Sequence, residues 1–183
     1  MEEIALHILD IVENSISAGA TIVKIMIEIS KKRDLLRIVV EDDGKGMDEE
    51  EVKKALDPFY TSKKNKKVGL GIPMFAQMAE NCGGYLKIES EKGKGTKVIA
   101  EMRLNHIDRP PLGDLASTIF TTILGHPNVD FLIEIQTDDK RVEVDTRQIK
   151  EIVGQEGYLH PEVIRFIKDN IESEIEDILK GGI

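Results

Sequence analysis

The chain has 183 residues with 40% hydrophobic side chains, which is enough for one sizeable domain or for a medium domain and a small one. A net charge of −9 and 4% aromatic residues argue against non-specific nucleic-acid binding, because such binding depends on Lys and Arg at phosphates and on aromatic stacking surfaces. A single cysteine excludes an internal disulfide. The sequence has no secretory signature, and no apolar run approaches the roughly 20 residues that cross a bilayer. We therefore expect a cytoplasmic protein.

The first 104 residues alternate between helical and extended patterns. Apolar spacings of three and four predict helices over 2–18 and 72–81, and an acidic first turn after Asp48 predicts a short helix that ends near Leu56. Alternating apolar residues predict strands over 21–29, 35–41, 85–90 and 96–104. Short polar turns between strands favour antiparallel pairs. This order predicts an α+β fold, a two-layer sandwich whose mixed, mainly antiparallel sheet carries helices on one face.

The composition changes after residue 104. Residues 1–104 carry 17 basic and 18 acidic side chains, whereas residues 105–183 carry 8 and 16. This asymmetry predicts a boundary near Asn105. Beyond the connector at Pro110 and Pro111, the patterns predict a helix over 112–124, a hairpin over 129–144 and an amphipathic helix over 163–179. Residues 105–183 are therefore expected to form a small, acidic C-terminal α/β appendage.

Three motifs in the N-terminal part have the chemistry of a nucleotide site. Asp10 and Asn14 are four residues apart on the first predicted helix, so they face the same way. Asp42-Asp43-Gly44-Lys45-Gly46-Met47 places two carboxylates at a strand end and two glycines where the backbone turns. Gly69-Leu70-Gly71 opens another helix. No segment matches the Walker-type loop Gly-x-x-x-x-Gly-Lys-Ser/Thr.

In this order and spacing, the motifs resemble the GHKL superfamily of ATP-binding domains, which includes DNA gyrase, Hsp90, sensor histidine kinases and the MutL mismatch-repair ATPases. The resemblance covers about residues 1–104. The segment Val12-Glu13-Asn14-Ser15 is most similar to the mismatch-repair ATPases. The segments 58–64, 69–71 and 93–96 are most similar to histidine kinases. Residues 105–183 resemble no family that we recognise.

The resemblance implies how the metal and the base would be held. Asn14 would supply one oxygen ligand to Mg²⁺, and phosphate oxygens would supply others. Asp42 would accept a hydrogen bond from the exocyclic amine of adenine, which favours adenine over guanine because guanine has a carbonyl there. Gly44 and Gly46 would let the backbone approach the base.

Further residues would line the base and the phosphates. An apolar slot for the ring would be formed by Met47, Ile72 and Ile99, although each residue alone is more typical of a core. Thr96 would contribute a hydroxyl near the adenine. Backbone N–H groups of Gly69, Leu70 and Gly71 would favour phosphate at a helix start, and Lys63 in the lysine-rich loop before them would reach the triphosphate. A lysine run is otherwise typical of a solvated loop.

The position four residues before Asn14 bears on the fate of the γ-phosphate. ATPases of the superfamily place a glutamate there as the general base, and histidine kinases usually place a polar, non-acidic residue there. Here the position is Asp10, which has the same carboxylate chemistry as glutamate on a stem one methylene shorter and so lies between the two patterns. Asp10 is the expected catalytic residue. His7, three residues earlier, either orients Asp10 or is a histidine without a catalytic role.

The sequence therefore predicts a Mg-ATP-binding, histidine-kinase-like protein, either a stand-alone ATPase or a protein kinase that acts on a serine or histidine of a regulatory partner. Two alternatives stay open: a nucleotide-dependent switch without catalysis, and a plain protein-interaction module with an empty pocket. ATP and an unidentified protein are the expected partners, and a homodimer through the C-terminal helix is an open arrangement. Neither nucleic acid nor membrane is favoured.

Overall fold

The computed structural model describes residues 3–60 and 70–180. The helices in these residues are α1 (Ile4–Ser17), α2 (Glu49–Leu56), α3 (Gly71–Asn81), α4 (Leu115–Gly125), α5 (Thr146–Tyr158) and α6 (Pro161–Lys180). The strands are β1 (Ile22–Ser30), β2 (Leu35–Asp42), β3 (Tyr85–Glu91), β4 (Gly95–Arg103), β5 (Asp130–Gln136) and β6 (Arg141–Asp145). Across these residues, none of the helices has a stretch long and apolar enough to span a membrane.

The six strands form one sheet in the order β3-β4-β2-β1-β5-β6. Every neighbouring pair is antiparallel except β1 and β5, which are parallel. The mixed, mainly antiparallel sheet predicted from the sequence is therefore confirmed. β1 lies near the centre, and its residue Val23 pairs with Asp42 on one side and Phe131 on the other.

The helices cover one face of the sheet, as predicted. Alternate residues of β1, from Val23 to Ile29, are buried in the core on that face. The opposite face is partly exposed and carries cross-strand ion pairs, such as that of Arg37 with Glu28 and Glu101. A concavity of about 440 Å³ lies on this open face. The alternation of apolar and charged residues along each strand thus produces a two-layer α+β sandwich.

The C-terminal part of the chain extends the same sheet and core. β5 and β6 are added beyond β1, and Phe131 and Ile171 belong to one apolar cluster with residues of α1. The helix α5 was not predicted, because its pattern is interrupted at Gly154, whose φ of 74° is non-helical. The boundary near Asn105 stays a prediction, since the residues on both sides of it share one sheet.

The connector after β4 is hydrogen-bonded to the first turn of α1. The N–H groups of Ile4 and Ala5 donate to the carbonyl oxygens of Pro111 and Leu112, at 3.0 and 2.9 Å. The first N–H groups of a helix have no partner within the helix, so these carbonyls cap α1. Farther along α1, Glu13 Oε1 lies 3.0 Å from Nε2 of His126, which follows α4. Residues after the predicted boundary therefore hold the helix that carries Asp10 and Asn14.

Candidate functional site

The predicted site residues Asp10 and Asn14 lie on α1, and this helix passes the start of α3 at Asp10. Asp10 is exposed and Asn14 is half-buried, four residues further along the same helix. A Cβ added to Gly71, the first residue of α3, would lie 3.2 Å from the Cβ of Asp10 and 3.4 Å from its Oδ2. The predicted base therefore lies against the helix start that was predicted to bind phosphate. A larger residue at position 71 would press on the Asp10 side chain.

Asp42 meets α1 one residue after Asn14. Ser15 Oγ donates a hydrogen bond to Asp42 Oδ2 at 2.6 Å, and the Gly44 N–H donates to Oδ1 at 2.8 Å. Asp42 ends β2 and pairs with Val23, so its side chain lies on the helix-covered face of the sheet. The fold thus brings position 42 beside the helix of Asp10 and Asn14, from a segment about thirty residues away.

Asp43 points elsewhere and anchors the turn. Its carboxylate accepts hydrogen bonds from the N–H and Oγ1 of Thr21 and from the N–H of Ile22, at 2.8, 2.5 and 3.0 Å. Partial burial raises the pKa of Asp43, but these hydrogen bonds outweigh the burial, so the pKa lies below the ordinary value of 3.8. Asp43 therefore ties the turn after β2 to the start of β1.

This lowered pKa makes a prediction about acid stability. A carboxyl group with a depressed folded-state pKa stabilises the protein above its unfolded-state pKa, and this contribution is lost as the pH falls through the folded-state value. We expect the urea midpoint of Asp43→Asn to fall less steeply than that of the wild type below about pH 4. Asp169→Asn, an exposed position on α6, is the control. Parallel curves for the wild type and Asp43→Asn would contradict the assignment.

The glycines of the turn are required by contacts within the protein. Gly46 has a φ of +68°, and a Cβ there would overlap the carbonyl oxygen of Glu91. A Cβ on Gly44 would lie 3.0 Å from the Cβ of Ala18 and 2.9 Å from Asp42 Oδ1. Close packing between α1, this turn and the β3–β4 turn therefore explains both residues. Their predicted approach to a base stays a prediction.

Met47 and Thr96 are joined through a serine that was not predicted. The Met47 N–H donates to Ser90 Oγ at 2.8 Å, and Ser90 Oγ lies 2.8 Å from Thr96 Oγ1. Thr96 pairs with Ser90 in β3 and with Asp42 in β2, so the three side chains form a row on the helix-covered face. The row places Thr96 directly beside Asp42.

One expected residue of the base slot lies on the wrong face, and two serines of the site were not predicted. Ile99 was expected to line a slot for the base, and this is wrong, because it lies on the open face with Met26, opposite the face of Thr96. Ser15 and Ser90 were missed as partners of the predicted residues. The sequence signal for Ser15 is weak: it is a small polar residue directly after Asn14 on α1.

Lys63 and Gly69, in the segment before α3, lie outside the described residues, so their predicted roles stay predictions. Leu70 is exposed and immediately precedes α3. Among residues 3–60 and 70–180, no group of three or more His, Cys, Asp or Glu side chains is placed to hold a metal ion.

His7 lies in the core between α1 and α3. It is buried, and its ring stacks on Phe75 with the centroids 5.0 Å apart and the planes inclined by 11°. This position supports a packing role for the ring. The hypothesis that His7 orients Asp10 stays a prediction.

Comparison with known proteins gives relatives for the N-terminal part. The chain is 38% identical over 88 residues to sporulation kinase C of Bacillus subtilis, covering 48% of this chain and 20% of that protein. It is also 38% identical over 74 residues to an anti-sigma F factor of Clostridium acetobutylicum, covering 40% of this chain and 48% of that protein. The chain thus spans half or less of the length of these two relatives.

A solved structure and a family model extend the comparison. The crystal structure of the N-terminal domain of a DNA repair protein has the same fold, with a TM-score of 0.56 and 14% identity over 86% of this chain and 59% of that one. The family model of histidine kinase-, DNA gyrase B- and HSP90-like ATPases matches residues 2–106, which is more than half of the chain. The resemblance drawn from the motifs is thereby confirmed, and the chain belongs to this family of ATPases.

Proposed function

We propose that this chain binds Mg-ATP beside α1 and acts through it on a partner protein. The observation that carries the proposal is the convergence on one helix: Asp42 bonds to Ser15, next to Asn14, while Asp10 lies against the first residue of α3. Family membership supports ATP as the nucleotide.

The donor groups present suit this ligand. The Asn14 side chain offers one hard oxygen, which fits Mg²⁺ because this ion keeps several waters and takes its other ligands from phosphates. When bound, Mg²⁺ neutralises charge on the phosphates. Gly71 is the first residue of α3, and the backbone N–H groups at a helix start favour anionic phosphate. Asp42 is a hydrogen-bond acceptor suited to the exocyclic amine of adenine.

Two fates of the γ-phosphate have support. Transfer to a partner's hydroxyl or imidazole is favoured by the similarity to a protein named as a sporulation kinase, and a protein partner is favoured by the similarity to an anti-sigma F factor. Hydrolysis is favoured by the acidic residue at position 10, since a carboxylate there is able to accept a proton from water. We propose transfer as the leading reaction and hydrolysis as the second.

Asn14→Ala tests the binding. The wild type is expected to gain about 2.7 kcal/mol of unfolding free energy at an ATP concentration 100 times its Kd, with Mg²⁺ present. Asn14→Ala is expected to raise the Kd for Mg-ATP about tenfold or more, about 1.4 kcal/mol, because one metal ligand is lost. Urea unfolding with and without Mg-ATP measures the gain in unfolding free energy, and isothermal titration with and without Mg²⁺ measures the Kd. The matched control is Asn128→Ala, an exposed asparagine in the turn before β5.

The outcomes separate the proposed functions. A wild type without any response to Mg-ATP would contradict the proposal and favour a plain interaction module. With binding established, γ-³²P label on a second protein indicates transfer, and inorganic phosphate without a partner indicates hydrolysis. Binding with neither product indicates a nucleotide-dependent switch.

A further inference from the structure

We infer that Ser15 is a positioning residue that makes the base end of the site selective for a purine with an amino group at position 6. The inference rests on the proposed function and concerns a side chain that has no role among the predicted site residues. Ser15 is 3% exposed and lies on α1 between Asn14 and the end of the helix. Its hydroxyl donates a hydrogen bond to Asp42 Oδ2, so we place its action on Asp42.

The first step is the immobilisation of Asp42. An ionised carboxylate has about four lone-pair sites on two oxygens. Ser15 Oγ occupies one site on Oδ2, and the Gly44 N–H occupies one on Oδ1, at 2.6 and 2.8 Å. The two donors belong to different segments, α1 and the turn after β2. The carboxylate plane is therefore fixed by both oxygens, and each oxygen keeps one site for a further donor.

The second step is the direction of the hydroxyl protons. The single proton of Ser15 is directed at Asp42. Along the row beside it, Ser90 Oγ donates to the Gly95 carbonyl at 3.0 Å and accepts the Met47 N–H. Thr96 Oγ1, 2.8 Å from Ser90 Oγ, is then the donor of that pair. Asp42 and Thr96, which are both partly exposed, therefore present lone pairs to a group placed against them.

A surface made only of acceptors discriminates between purines. An amino group at position 6 donates a hydrogen bond to it, whereas a carbonyl at position 6 meets only acceptors and loses its own hydrogen bonds to water. Without Ser15, Asp42 loses its partner on Oδ2 and is held by the Gly44 N–H alone, so its carboxylate plane is less fixed. Binding of the amino group must then also order the carboxylate, and this lowers the affinity.

The test compares two nucleotides on matched variants. ATP carries the 6-amino group, and purine riboside 5′-triphosphate has hydrogen in its place. Ser15→Ala is expected to raise the Kd for Mg-ATP about tenfold and to change the Kd for the purine riboside triphosphate by less than about twofold. Ser17→Ala, an exposed serine two residues later on α1, is expected to change neither. Ser15→Thr keeps the hydroxyl and is expected to bind ATP within about threefold of the wild type.

Each other result is decisive. If Ser15→Ala weakens both nucleotides equally, Ser15 supports the fold of α1 and the inference is overturned. If Ser15→Ala leaves ATP affinity unchanged, Asp42 does not depend on Ser15 and the inference is again overturned. A wild type that binds neither nucleotide overturns the proposed function itself, and this outcome is distinguished because it appears before any variant is compared.

Discussion

Gly95→Ala is expected to destabilise the protein by about 3 kcal/mol or more, since strained backbone and overpacking each cost about 1–3 kcal/mol. Gly95 has a φ of +118°, and a Cβ there would overlap the carbonyl oxygen of Asp42. β4 would have to move away from the end of β2, where Thr96 pairs with Asp42. We therefore expect ATP affinity to fall by more than about tenfold in the same variant, because Asp42, whose carboxylate is proposed to bind the adenine amino group, is displaced.

A matched control lies two residues away in the same turn. Gly93 has a φ of +81°, but nothing lies within 4 Å of a Cβ placed there. Gly93→Ala is expected to cost only about 1–2 kcal/mol, the strain of a left-handed residue, and to leave ATP affinity unchanged. Urea denaturation gives the free energies of unfolding, and isothermal titration gives the affinities. Equal losses in the two variants would show that backbone strain alone matters and that the Gly95–Asp42 contact does not.

Asp10→Asn is expected to leave Mg-ATP affinity within about twofold of the wild type and to lower the rate of γ-phosphate loss about 100-fold or more, the usual scale of general-base catalysis. The amide keeps the size of the side chain but does not accept a proton. The position beside Gly71, at the helix start proposed for the phosphates, is what supports this role. Release of phosphate and label transfer to a partner measure the rate.

Glu13→Gln is the control on the same helix. Glu13 is an exposed carboxylate three residues away, and its partner is His126. It is expected to leave the rate unchanged, because it does not face the start of α3. A rate for Asp10→Asn equal to that of the wild type would remove Asp10 from the chemistry. In that case a water or a group on the partner would have to accept the proton.

Most of the N-terminal half was accessible from sequence because its local signals agree with its tertiary packing. The apolar spacing of α1 buries Ile4, Ile8 and Ile11, and the alternation in β1 separates buried from half-buried residues one by one. The N-cap at Asp48 accepts the Glu51 N–H at 2.8 Å, as an acidic first turn predicts. Helices and strands were therefore placed within a few residues of their observed bounds.

Features that depend on long-range pairing were not accessible in the same way. The parallel pairing of β1 with β5 joins segments about a hundred residues apart, and no local pattern specifies it. α5 was missed because glycines interrupt a weakly apolar pattern. Ile99 was assigned to the wrong face because alternation shows which residues share a face, not which face the ligand approaches. The Ser15–Asp42 hydrogen bond could not be predicted from local patterns either, since only the packed fold brings the two residues together.

The attachment of the connector to α1 has a consequence for the order of folding. During synthesis, the N–H groups of Ile4 and Ala5 have no carbonyl partner until Pro111 and Leu112, more than a hundred residues later, have been made. In the same way, one edge of β1 has no neighbouring strand until β5 is made. An open strand edge of this kind is a template for pairing with other chains. The nascent ATPase region is therefore exposed to aggregation until translation has passed residue 136, and a fragment ended at residue 104 would keep that exposure permanently.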